Sequence, residues 1–77
     1  MATDSEWQDR VKNLLKAELK RKGVSYAQLA EKLTAMGIPE TERNISNKLS
    51  RGSFTAVFFV QCLFAIGAHT VRLHEVD

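Results

Sequence analysis

The chain has one cysteine, Cys62, so it contains no internal disulfide and no zinc site assembled from cysteine pairs. No apolar run approaches the roughly 18 residues that a membrane-crossing helix needs. The longest is Phe54–Ile66, interrupted by Thr55 and Gln61. Charge of one sign is also scarce: 11 Lys and Arg stand against 9 Asp and Glu, and the resulting net +2 does not by itself require an acidic partner. There is no glycine-rich phosphate loop, nucleophile elbow, HExxH motif or pair of catalytic carboxylates. These absences predict a protein that is not an enzyme, with no catalytic residue and no cofactor. The opening MATDSEW lacks the basic-then-apolar pattern of a signal peptide, which together with the lone thiol predicts a reducing, cytoplasmic setting.

The 77 residues make one domain, of a size that buries only about 60% of its unfolded surface and gains from association. Its organising stretch is Phe54–Ile66, FTAVFFVQCLFAI, which holds all four phenylalanines between Ser53 and Gly67 as candidate caps. The expectation is a central helix, apolar nearly all round, clothed by the other segments. Cys62 inside it reads as an inert buried thiol.

In chain order, Thr3/Glu6 and Ser5/Gln8 each offer a capping box, after which Trp7, Val11, Leu14, Leu15 and Leu19 recur at helical spacing. Trp7 is expected to lie as a lid on the core, and Glu18, near the inner face, to pair with Lys22 one turn on. Gly23 should end this helix. From Arg10 to Lys22 there are 6 basic residues and 1 acidic, a bias that fits either a polyanion partner or a solvated face.

Ser25 and Gln28 form a second capping box, with Val24 and Leu29 at the two positions of a hydrophobic staple. Gly37 is a natural stop, and Pro39 then sets the first turn of a third helix or the loop leading into it. The predicted fold is all-α, with helices over about 5–22, 25–36, 40–50 and 54–66 and a tail from 68 to 77.

In the third helix Ile45 and Leu49 must face inward, which at about 100° per residue places Arg43, Asn47 and Arg51 on the opposite side. Asn44 and Lys48 flank that row, Ser50 completes it and Ser46 lies at its other edge. Guanidiniums and amides match guanine and adenine edges in flat, bidentate arrangements. An ordinary solvated helix carries the same residue types.

LLKAELKRKGVSYAQLAEKL, then NISNKLSRG, then an apolar helix ending in glycine resembles the Cro/phage-repressor (lambda repressor-like) helix-turn-helix domain over roughly Val11–Gly67. The likeness rests on Leu15/Leu19 before a Lys-Gly turn, Ser25 to Ala30 as the entry to helix two, and Arg51-Gly52 closing helix three. The chain is also similar to an uncharacterised set of short bacterial domains of this class. The repressor likeness implies a sequence-specific double-stranded DNA-binding regulator of transcription, with helix three in the major groove and a common tendency to dimerise. The residue roles come from the outward face of helix three and the basic entry to helix two rather than from the family: base reading is expected of Arg43, Asn44, Ser46 and Asn47, and phosphate contact of Lys22, Ser25, Tyr26, Gln28, Lys48 and Arg51. The sequence departs from the family in a longer stretch between Leu33 and Ile45, in Tyr26 where many members have a phosphate-contacting Gln, and in Ser50 where an acidic residue is usual.

After Gly67, Thr70–Val76 alternates in polarity and reads as a short strand, either covering the core or pairing with its mate in a second subunit. A homodimer through the Phe54–Ile66 helix and this tail is expected. His69 and His74 lack a third ligand at metal spacing and read as solvated. A second function stands beside DNA binding: a protein-interaction adaptor on the same fold, favoured by the low net charge and by Glu40 and Glu42, which would repel phosphate.

Overall fold

The computed structural model describes residues 3–73. They form four helices, α1 (Asp4–Lys22), α2 (Tyr26–Ala35), α3 (Glu42–Arg51) and α4 (Ala56–Ala65), with no strand among the described residues. The fold is therefore all-α, as the periodicity predicts. Local chemistry accounts for the helix ends. The Thr3 hydroxyl accepts from the Glu6 N–H at 3.3 Å, while the Thr3 N–H donates back to Glu6 Oε1 at the same distance. Ser25 and Gln28 repeat the device with distances of 3.1 and 2.9 Å. Gly23 ends α1 with φ 66°, in the left-handed region that glycine enters without a Cβ penalty. After α2, Gly37 and Ile38 turn back to donate to the carbonyls of Thr34 and Leu33 at 3.0 and 2.9 Å.

The core joins all four helices. Leu15 and Leu19 come from α1, Leu29, Ala30 and Leu33 from α2, Ile45 and Leu49 from α3, and Phe58, Cys62 and Leu63 from α4, with Ile66 just beyond it. Helix α2 packs on α3 and α4, and α1 lies along α4. Val24, at the staple position, packs against this cluster together with Tyr26 and Ile38.

Six expectations need correction. The last helix is shorter than Phe54–Ile66: Thr55, not Ser53, caps it by accepting from the Phe58 N–H at 3.0 Å, so Phe54 stays outside the helix. The Phe54 ring packs edge-on to Phe58 and stacks with Phe59, at centroid distances of 5.7 and 6.3 Å. Nor is α4 buried all round. Phe58, Cys62 and Ile66 face inward, whereas Val57, Val60 and Phe64, on the opposite side by helical phase, are exposed.

Trp7 is no lid. It is 56% exposed, because residues 4–10 of α1 all lie at the surface, and the Arg10 guanidinium sits over its ring at 5.2 Å. Glu18 is buried beside Leu15 and Leu19 and pairs with Arg21, three residues on, at 3.7 Å rather than with Lys22, which stays exposed. Helix α3 begins at Glu42 behind the cap Thr41, so Pro39 and Glu40 belong to the connector. Residues 70–73 form no strand, and the rest of the predicted strand, with His74, lies outside the described residues.

Candidate nucleic-acid interface

Helix α3 is fixed by its two inner side chains. Ile45 and Leu49 are fully buried, and α2 packs directly against the helix. At its start the Thr41 hydroxyl accepts from the Asn44 N–H at 3.1 Å, and at its end Gly52, with φ 67°, closes it through an N–H bond to the Lys48 carbonyl. With the inner face locked, the outer one is set by helical phase. Arg43, Asn47, Ser50 and Arg51 are exposed along it, Asn44 is exposed on one flank, and Ser46 is half-buried on the other. Four of the candidate base-reading or phosphate side chains on α3, namely Arg43, Asn44, Asn47 and Arg51, thus stand on one solvent-facing surface.

Lys48 departs from that surface. Its ammonium lies 2.8 Å from Glu40 Oε2 and 4.2 Å from the centroid of the Phe58 ring, so it turns along the flank of α3 toward the connector and α4. The Glu40 side chain is 5% exposed, and its other carboxylate oxygen accepts from the Thr41 N–H at 3.2 Å. Burial pushes the Glu40 carboxyl up, but the hydrogen bond and charge of Lys48, the Thr41 N–H and the Asn44 side chain outweigh it and hold the group below its ordinary value. The sequence gives little sign of this partner, because the two residues stand eight apart across a helix start, outside any helical spacing rule.

At the entry to α2 the predicted phosphate contacts divide. The Ser25 hydroxyl and Gln28 Oε1 are both occupied by the capping box, which leaves the Gln28 amide NH2 as the outward donor. Tyr26 is half-buried with its side chain packed against the core, whereas Lys22 is exposed at the end of α1. Lys22 and Gln28 share an open groove of about 540 Å³ with Val24, Glu31 and Lys32, where Glu31 partly offsets the two lysines. Arrangements of this kind, a lysine and an amide donor beside the free N–H groups of a helix start, hold anions.

Among the described residues no three His, Cys, Asp or Glu side chains gather as they would around a metal ion, and His69 is exposed. Cys62 is fully buried; burial first, then the Glu40 charge, push its thiol up to about 12, against a smaller opposing effect of Lys48. No helix among the described residues is long and apolar enough to cross a membrane.

No curated protein and no solved structure matches the chain. One family does, over residues 7–71, a span that takes in the core residues of all four helices. On that match the chain belongs to the family described as a domain of unknown function, DUF6471.

Proposed function

We propose that this domain binds double-stranded DNA with sequence preference, as a small transcriptional regulator that lays α3 in the major groove. The observation that carries the reading is the exposed row Arg43, Asn47 and Arg51, presented by a helix whose opposite face, Ile45 and Leu49, is fully buried. A short, rigid, two-sided helix of this kind fits a groove about 12 Å wide, and Arg and Asn are side chains that pair bidentately with guanine and adenine. Arg43 and Asn47 would read bases, with Asn44 and Ser46 at the edges of the footprint. Arg51, together with Lys22 and the N–H donors around Ser25, Tyr26 and Gln28, would hold phosphate. The resemblance of the sequence to Cro/phage-repressor domains supports nucleic-acid binding by this fold.

The active form would be a homodimer. The outer stripe of α4, Val57, Val60 and Phe64, is exposed, and α4 carries no charged residue, so the stripe offers nothing to a charged partner and suits a second copy of itself across a two-fold axis. Two-fold pairing would also present two copies of α3 to one duplex.

Gel-shift titration on a selected site and a scrambled duplex tests the assignment. Arg43→Ala and Asn47→Ala should each lose about 1–3 kcal/mol on the best site and flatten sequence preference. If both variants bind every duplex as the parent does, α3 is not the recognition element. The adaptor reading draws on the same apolar stripe on α4. Salt separates the two, because duplex affinity falls steeply between low and physiological salt, whereas an apolar protein contact does not.

A further inference from the structure

The connector into α3 carries an anion where a phosphate-binding face has no use for one. Glu40 cannot swing away from it. Its side chain is 5% exposed, Oε1 accepts from the Thr41 N–H at 3.2 Å, Oε2 from the Lys48 ammonium at 2.8 Å, and its backbone carbonyl from the Thr34 hydroxyl at 3.4 Å. The residue is thereby tied to the end of α2 through its main chain and to the start and flank of α3 through its carboxylate. Lys48 is the more exposed partner, at 40%, with its ammonium lodged between this carboxylate and the face of Phe58.

Moving Lys48 from Glu40 to a DNA phosphate would exchange one anion for another and strip an enclosed carboxylate of its counter-charge, a costly state in a low-dielectric setting. Among the described residues no carboxylate pairs with Arg43 or Arg51 in this way, and both stand exposed with Asn47. A lysine on phosphate strengthens binding to all sequences alike and adds about one to the salt slope, so withholding one lowers indiscriminate affinity while leaving base reading intact.

Resting on the DNA-binding reading above, we infer that Glu40 is a specificity-determining residue: it holds Lys48 off the phosphate backbone, so that α3 engages DNA through Arg43, Asn47 and Arg51. Glu40 itself touches no base and acts through Lys48.

The test uses the full chain on a selected and a scrambled duplex across a salt series, with parent, Glu40→Gln, Lys48→Met and the double variant, each checked for native helicity by circular dichroism. Glu40→Gln should steepen the salt slope by about one and raise affinity for the scrambled duplex more than for the selected one, narrowing their ratio. Lys48→Met should leave the slope at the parent value, and the double variant should return to it, since without Lys48 there is no charge to release. A Lys48→Met slope shallower by about one would place Lys48 on phosphate already and overturn the inference, as would a Glu40→Gln variant with unchanged slope and ratio. A parent that binds no duplex at any salt overturns the DNA-binding reading and this inference with it. Amine acylation mapped by mass spectrometry gives a readout without DNA: Lys48 should react more slowly than the exposed Lys16 and Lys20 and catch up in Glu40→Gln. Equal rates in the parent would show that Lys48 is not held.

Discussion

Gly52, which closes α3, backs onto Gln8 in the second turn of α1: a Cβ placed on Gly52 would meet the Gln8 carbonyl oxygen at 3.2 Å and its carbonyl carbon at 3.5 Å. The end of the candidate recognition helix is thereby seated against the backbone of the first helix, and the neighbour that would have to yield is main chain. Gly52 also has φ 67°, so a side chain there meets two penalties at once.

Gly52→Ala should therefore lower stability by about 1–3 kcal/mol, through the left-handed backbone and the contact with Gln8. Gly23→Ala is the control, since Gly23 has a similar φ of 66° and nothing within 4 Å of its would-be Cβ. In urea titrations the Gly52 variant should lose more than the Gly23 variant. Equal losses would mean that the seat against Gln8 relaxes freely.

Acid should weaken the connector. The carboxyl of Glu40 is held below its ordinary 4.5, with burial opposing and the Lys48 and Thr41 bonds prevailing. A carboxylate depressed in the folded state contributes stability that is fully present above its unfolded value and is lost as the pH falls through the folded one. The stability gap between the parent and Glu40→Gln should thus be widest at neutral pH and close progressively below about pH 4.5, as measured by urea unfolding at a series of pH values. A gap independent of pH would assign the effect of the substitution to shape rather than charge.

Much of this architecture can be read from short-range chemistry. The Ser25/Gln28 capping box, the Gly23 stop and the inward Ile45/Leu49 pair all depend on residues within one turn of each other, where spacing rules hold. What the sequence hides are contacts across longer intervals. Lys48 reads as one more outward cation until the fold brings Glu40 and Phe58 to it from the connector and from α4. Trp7 reads as a lid on the core because periodicity cannot tell where a helix stays uncovered at its start, and residues 3–10 are exposed throughout. With Glu18, both Arg21 and Lys22 are in helical reach, and only the packed structure selects Arg21. Arg43, Asn47 and Arg51 were legible as a row because two buried anchors fix the phase of the whole helix.

The thiol of Cys62 should be silent in the folded chain under conditions where an ordinary cysteine reacts. It is fully buried, and burial and then the Glu40 charge raise it from 9.0 to about 12. Its contribution to stability is present below pH 9.0, where neither state ionises it, and drains away as the pH rises toward about 12, because the unfolded chain loses the proton first. At pH 9, iodoacetamide should label the protein rapidly in strong urea and hardly at all without it. Rapid labelling of the native chain would mean that α4 opens readily.

The exposed stripe on α4 yields the last expectation. Val57, Val60 and Phe64 are 65, 58 and 77% exposed, on the side of the helix opposite Phe58, Cys62 and Ile66. Phe64 stands furthest into solvent and carries the largest apolar area of the three, since a buried phenylalanine removes on the order of 150 Å² or more from water. It should be the anchor of a two-fold contact, and because it does not belong to the buried core, Phe64→Glu should leave the fold intact. In the proposed dimer the substitution sets two carboxylates into an apolar contact about one axis, and each loses solvation without gaining a partner. Sedimentation of the parent at micromolar concentration should give twice the chain mass, and of Phe64→Glu the single mass, with unchanged helicity by circular dichroism. A chain ended after Gly67 should remain dimeric, because the residues that follow supply neither Val57, Val60 nor Phe64. A monomeric parent removes the dimer, and with it the paired presentation of α3, while leaving single-site DNA binding to stand on its own titrations.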